Sequence, residues 1–147
     1  METIRINKID LGELERIHLL CDEDFIPKLS LRVNIKEYCK KIFNLSEIIT
    51  IESGNNIAGL TSIYTNDMVG HQAYISSMCI LKEFRGMGFS RTLMNESIKL
   101  AIKKKMRFIR LEVGINNVAA IKLYESFDFV IDGISTVNYY HMTKKLT

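Results

Sequence analysis

Hydrophobic and polar positions change period several times along this chain. Apolar residues alternate with polar ones near Thr3–Asn7, the pattern of a short strand. From about Leu11 to Cys21 the spacing lengthens, and Leu14, Ile17 and Leu20/Cys21 fall on one helical face. The loop "DEDFIPKLSLR" leads into a second helix at about Ile35–Asn44. The period then shortens again. Residues 47–53 ("EIITIES") predict a strand that ends at the turn signal "SGNN". Residues 57–65 ("IAGLTSIYT") return as its hairpin partner, and 72–81 ("QAYISSMCIL") follow after "NDMVGH". Links this short join antiparallel strands.

The second half alternates helix and strand. A helix is predicted over about Phe89–Lys105, with Met94, Ile98, Ala101 and Ile102 on one face. Residues 107–113 ("RFIRLEV") alternate as a strand: Ile109, Leu111 and Val113 point one way, and Phe108, Arg110 and Glu112 the other. A helix over about Asn117–Phe127 precedes strands near Phe129–Ile134 and Val137–Thr143. The expected class is α+β, a mixed sheet with helices on its faces. The single proline, Pro27, and the lack of any low-complexity linker lead us to expect one domain over residues 1–147.

Composition narrows the function. The chain is 47% hydrophobic and 25% charged with a net charge of +3, too small for a nucleic-acid binder. No apolar run approaches the roughly 18 residues of a membrane span, and the polar opening METIRINKID does not read as a secretory signal. Cys21, Cys39 and Cys79 have no CxxC spacing and are expected as reduced, buried thiols of a cytoplasmic protein. His18, His71 and His141 are scattered without metal spacing, so no metal is expected.

The chemistry concentrates in "RGMGFSRT". A strand ends near Leu81 and a helix starts near Phe89. The first amides of a helix lack internal partners and sit at the positive end of its dipole, which suits an anion such as pyrophosphate. Gly86 and Gly88 admit oxygens close to the backbone, and Arg85 and Arg91 can add charge-assisted bonds. The phosphate-loop pattern GxxxxGK[ST] is absent for want of the lysine, and the dinucleotide fingerprint for want of a third glycine. On this stretch alone, a plain strand-to-helix loop remains an equal reading.

A second stretch, "LEVGINNVAAIKLYESFDF", changes that balance. Arg85-x-x-Gly88-x-Ser90 resembles the cofactor motif of the GCN5-related N-acetyltransferase (GNAT) family. Asn117-x-x-Ala120-x-x-Leu123-Tyr124-x-x-x-Asp128-Phe129 resembles its second motif. The two occur in the family's order with a helix and a strand between them, and the likeness covers roughly residues 47–130. Ser90 stands where the family has a smaller residue, and Asp128 where it has glycine. The resemblance predicts a left-handed backbone for Asp128 at the end of its helix.

The resemblance implies a GNAT fold, with a mostly antiparallel twisted sheet of six to seven strands and about four helices on both faces. It also implies acetyl-CoA as co-substrate and an amine acceptor attacked directly in a ternary complex. By matching position, backbone groups of Met78, Cys79 and Ile80 would bind the pantetheine arm. Amides of Gly86, Met87, Gly88, Phe89, Ser90 and Arg91, with Arg85, would hold the diphosphate. Asn117 would meet the arm from the other side. Tyr124 would serve the departing sulfur, and Glu112 would be the base. The acceptor walls would be "DEDFIPKLSLRV" and "YTNDMVGH", where Asp22, Glu23, Asp24 and Asp67 can attract a cationic amine. An amino sugar, a protein N-terminus and a small amine all remain open as acceptors. So do a monomer or a homodimer, and a non-catalytic acyl-CoA-binding module on the same fold.

Overall fold

A computed structural model describes residues 2–146; Met1 and Thr147 lie outside the described residues. The elements in chain order are β1 (Glu2–Ile6), α1 (Leu11–Leu20), α2 (Ile35–Leu45), β2 (Glu47–Ser53), β3 (Asn56–Tyr64), β4 (Gln72–Ile80), α3 (Phe89–Lys103), β5 (Phe108–Gly114), α4 (Val118–Ser126), β6 (Val130–Ile134) and β7 (Tyr139–Lys145). Short 3₁₀ turns at Asp22–Asp24, Leu29–Leu31 and Lys82–Phe84 fill the loops. The predicted elements are all present. The third helix stops two residues before the predicted Lys105, whose φ of 64° cannot continue a right-handed helix.

The strands form one sheet in the order β1-β2-β3-β4-β5-β7-β6, with seven strands. All neighbouring pairs are antiparallel except β4 with β5. This is the expected α+β architecture. The last strand in sequence, β7, sits between β5 and β6, so the closing hairpin lies at the sheet edge.

Each face of the sheet buries its own cluster. One holds Ile49, Ile51, Ile109 and Leu111 under Leu93, Met94 and Ala101 of α3. The other packs Ile48 and Leu60 under Leu14 and Ile17 of α1 and Cys39 and Ile42 of α2. The helix starts follow from local chemistry. Asp10 accepts from the Glu13 amide at 2.8 Å and Asn34 from the Glu37 amide at 3.0 Å, satisfying donors that a bare helix end would leave open.

One irregularity positions everything that follows. Along β3–β4 the register passes from Ser62↔Ser77 to Ile63↔Ile75, so Ser76 is an extra residue on β4. Such a bulge bends a strand and sharpens its twist. The parallel ladder of β4 with β5 runs from Gln72↔Phe108 to Ile75↔Leu111 and stops there, although both strands continue. Beyond the bulge the two strands separate, leaving residues 76–80 and 112–114 facing one another without pairing.

Candidate active site

The split between β4 and β5 exposes backbone groups that a continuous sheet would pair. The Leu81 amide donates to Ala58 O at 2.8 Å, and Ser77 O accepts from the Thr61 hydroxyl at 2.9 Å. By alternation, Cys79 also turns its backbone toward β3, while Met78 and Ile80 turn theirs into the split. Within this split Ile80 O accepts from the Arg85 guanidinium, through Nε and Nη2 at 3.3 Å each. Of the three residues expected to meet an extended arm, Met78 and Ile80 therefore present the available groups. Cys79 is buried beneath them beside Cys21.

At the end of β4 the chain passes through the Lys82–Phe84 turn into the glycine segment. Gly86 has φ 78° and Gly88 φ 80°, both left-handed, and an added Cβ at either would meet nothing within 4 Å. The glycines are needed for the turn itself, which aims the following amides outward. The first internal bond of α3 is Thr92 N to Gly88 O at 3.2 Å. The amides from Gly86 to Arg91 have no hydrogen-bond partner among the described residues. Phe89 anchors the segment from below, 5% exposed, with Leu93 behind it, while Met87 lies outside at 59%.

These features line a cavity of about 840 Å³ that includes Met78, Ile80, Gly86, Gly88, Ser90, Arg91 and Asn117. The two arginines are already engaged. Arg85 forms an ion pair with Asp24 in addition to its bond to Ile80 O. Arg91 donates to the Ser126 hydroxyl at 2.9 Å, its Cζ 4.6 Å from the centre of the Phe127 ring. Asn117 is the N-cap of α4, where its Oδ1 accepts from Ala120 N at 3.3 Å and leaves its NH₂ group uncommitted.

Tyr124 lies on α4, at the wall of a second cavity of about 230 Å³ shared with Glu112, Arg32, Ser76 and Met78. The end of α4 holds it there. Phe129 N donates to Tyr124 O at 3.1 Å and Asp128 N to Glu125 O at 3.0 Å, the paired bonds of a Schellman cap. Asp128 sits at φ 68°, the predicted left-handed conformation. The rings of Tyr124 and Phe129 pack at 5.9 Å, the apolar contact that accompanies this cap. The Tyr124 hydroxyl has no partner among the described residues, and burial pushes its pKa up to about 12.

Glu112 is held by residues distant in sequence. Its carboxylate accepts from the Ser135 hydroxyl, from Tyr74 at 3.2 Å and from Arg32 at 3.3 Å. Burial pushes its pKa up, but the Ser135 bond and the adjacent Arg32 charge outweigh it and hold the carboxyl below its ordinary range. Arg110, the sequence neighbour with which Glu112 shares a strand face, lies instead 4.0 Å from Asp132. The loop bearing Arg32 reaches the site because Gly114 lets the backbone at Ile26 come against the end of β5, where any Cβ would collide with Ile26 O.

Beneath the split lies a buried polar chain that the sequence did not signal. His18 Nδ1 donates to Leu14 O at 2.9 Å, and its Nε2 accepts from Ser77 at 3.1 Å. Ser77 also bonds Ser62 at 2.9 Å, and Tyr38 bonds Ser76 at 2.5 Å. These contacts tie α1 and α2 to the bulge, so the network fixes the point at which the strands part. Desolvation lowers the pKa of His18 and keeps the ring neutral. Among the described residues no group of three or more His, Cys, Asp or Glu side chains is placed to hold a metal.

Parted parallel strands, a run of outward amides and a tyrosine on the next helix line one continuous region of the sheet's split edge. The chain matches the acetyltransferase (GNAT) family over residues 13–129 and belongs to it. It is 33% identical over 92 residues to a Bacillus subtilis (strain 168) protein named as a candidate ribosomal protein bS18-alanine N-acetyltransferase. That match covers 63% of this chain and 58% of the relative. The fold is also that of the Vibrio cholerae spermidine N-acetyltransferase crystallised with CoA and spermine, at TM-score 0.78 and 22% identity over 99% of this chain and 95% of that one. The Escherichia coli ribosomal-protein-S18-alanine N-acetyltransferase is similar in fold too, at TM-score 0.77 and 18% identity over 100% and 95%.

Proposed function

We propose that this chain, as one domain over residues 1–147, is an acetyl-CoA-dependent N-acetyltransferase that acts by direct attack of a primary amine. The observation that carries the reading is the split itself: two strands part beside a helix whose first amides are all free. An extended amide-rich arm can add to such an opening as an extra strand. The free amides from Gly86 to Arg91 suit a diphosphate by charge and geometry. The cavity of about 840 Å³ has room for a large cofactor. Met78 and Ile80 would hold the arm, with the Asn117 NH₂ on its far side, and Arg85 can exchange Ile80 O for a phosphate oxygen.

The co-substrate supplies an activated acetyl thioester. The protein has two proton problems to solve around it. An alkyl amine is mostly protonated near neutral pH and must lose a proton before it can attack. Glu112, ionised and lining the second cavity, would take that proton, directly or through water. The departing sulfur develops negative charge, and the Tyr124 hydroxyl donates a hydrogen bond to it. Neither role needs a covalent enzyme intermediate. Cys79 is buried, and its contact with the Cys21 thiol together with burial holds its own thiol up, the opposite of an activated nucleophile.

The test is thiol release from acetyl-CoA against a panel of amines, amino sugars and peptides. Acceptor-dependent release, first order in enzyme, supports the transferase. Coenzyme binding without release on any acceptor would instead indicate an acyl-CoA-binding module.

A further inference from the structure

The second cavity holds a cation-binding arrangement that the protein fills itself. The Arg32 guanidinium lies 3.3 Å from the Glu112 carboxylate, with its Cζ 3.8 Å from the centre of the Tyr139 ring. A carboxylate beside an aromatic face is the environment an ammonium group would seek. Here a side chain of the same chain occupies it, on the loop that walls the cavity.

The other carboxylates around the two cavities are also committed. Their acidic lining residues are Glu23, Asp24 and Glu112. Glu23 pairs with Lys28 at 3.4 Å, Asp24 with Arg85 and Glu112 with Arg32. Two further acidic residues that the sequence offered for cation attraction are spent on local turns. Asp22 accepts from the Ser30 amide at 2.7 Å and hydroxyl at 2.6 Å, and Asp67 from the Gly70 amide at 2.8 Å. A second or third ammonium on an acceptor would find no free carboxylate here and would approach Arg32, Arg85 or Arg91.

Among the described residues, the strand face that carries Glu112 brings no further carboxylate beside it. His141 lies directly opposite Glu112 across β5–β7. The Tyr139 hydroxyl, His141 Nδ1 and Arg110 Nε are buried without hydrogen-bond partners among the described residues. All three residues belong to the face of β5 and β7 that carries Glu112.

From these observations we propose that Arg32 is a specificity-determining residue. By occupying the cationic position between Glu112 and Tyr139, it restricts the acceptor to one that carries a single amine, and it excludes polyamines. The proposal rests on the reading that this cavity receives the acceptor.

The test compares kcat/KM for spermidine, an amino sugar and a short alanine-initiated peptide amide in the wild type, R32Q and R32K. The wild type should use its best single-amine acceptor at least about tenfold better than spermidine. R32Q should move that ratio toward spermidine by about tenfold or more, the scale of one uncompensated charge contact, while R32K keeps it. Calorimetry on the coenzyme A-loaded protein measures spermidine binding in parallel. R32Q should bind it more tightly than the wild type, with affinity for coenzyme A itself unchanged. A wild type that prefers spermidine, or an R32Q variant with an unmoved ratio and unmoved spermidine affinity, overturns the proposal. Failure of the transferase reading is a separate result: no acceptor turns over, and the binding arm still decides whether Arg32 excludes polyamines.

Discussion

Replacing Tyr124 with phenylalanine separates two roles that a tyrosine at this position could have. With the hydroxyl pushed up to about 12 and a free thiol near 8.5, full proton transfer to the sulfur is uphill by about 3.5 units, or about 5 kcal/mol. A neutral donor to a developing negative charge, by contrast, contributes about 1.5–3 kcal/mol. On the proposed mechanism Tyr124 therefore acts by hydrogen-bond donation, and Tyr124→Phe should lower kcat by about 10- to 100-fold. Folding should barely change, because the ring keeps its packing on Phe129 and the hydroxyl has no partner among the described residues to lose. Coenzyme affinity should also be unchanged. The assay is steady-state thiol release from pH 6 to 10 with a saturating acceptor, for both proteins. A tyrosine that ionises only near 12 leaves no basic limb of its own in this window. A wild-type basic limb near pH 9 that vanishes in Tyr124→Phe would show the residue titrating, and would refute the reasoning. So would a variant as fast as the wild type.

Other consequences follow from the same geometry. Glu112→Gln should reduce kcat/KM by about 10²-fold or more near neutral pH, a loss that narrows as pH approaches the pKa of the acceptor amine and the base becomes dispensable. A constant ratio across the profile would remove Glu112 from proton transfer. Gly88→Ala places a side chain at φ 80° and should weaken coenzyme A binding by about tenfold by calorimetry, since strain of about 1–2 kcal/mol tilts the amides it precedes. Asp128→Gly relieves the left-handed φ of 68° and should raise Tm by about 2–4 °C, the equivalent of about 1 kcal/mol in a domain of this size. His18 is buried with a lowered pKa, so its neutral form contributes stability that is complete above the ordinary histidine range and is lost as pH falls through the lowered value. Urea midpoints between pH 7 and 5 should show that loss in the wild type and less of it in His18→Gln.

How much of this was legible in the sequence depended on the range of the interactions. Strands with period two and helices with period near four declare themselves within a few residues, and the predicted elements accordingly match the structure. The glycine segment was legible for the same reason, since Gly86 and Gly88 act through their own backbone angles. Asp128 could be placed because it stands where the resembled motif has a helix-ending glycine. The bulge at Ser76 carries no local mark, because it is defined only by pairing with β3. Arg32 and Glu112 meet across 80 positions, and Tyr74 and Ser135 reach the same carboxylate from β4 and the β6–β7 loop respectively. Arg110 shares a strand face with Glu112, yet the fold pairs it with Asp132. His18 carries no spacing signal, and only the fold shows that it binds Ser77 beneath the split.

Whether the glycine segment grips the coenzyme can be read by titrating coenzyme A into the purified protein in a calorimeter, with Gly88→Ala as the comparison. Saturable binding at one site per chain is expected, clearly weakened in the variant if the outward amides of residues 86–91 hold the diphosphate. Absence of binding, or equal affinity in the two proteins, would contradict it.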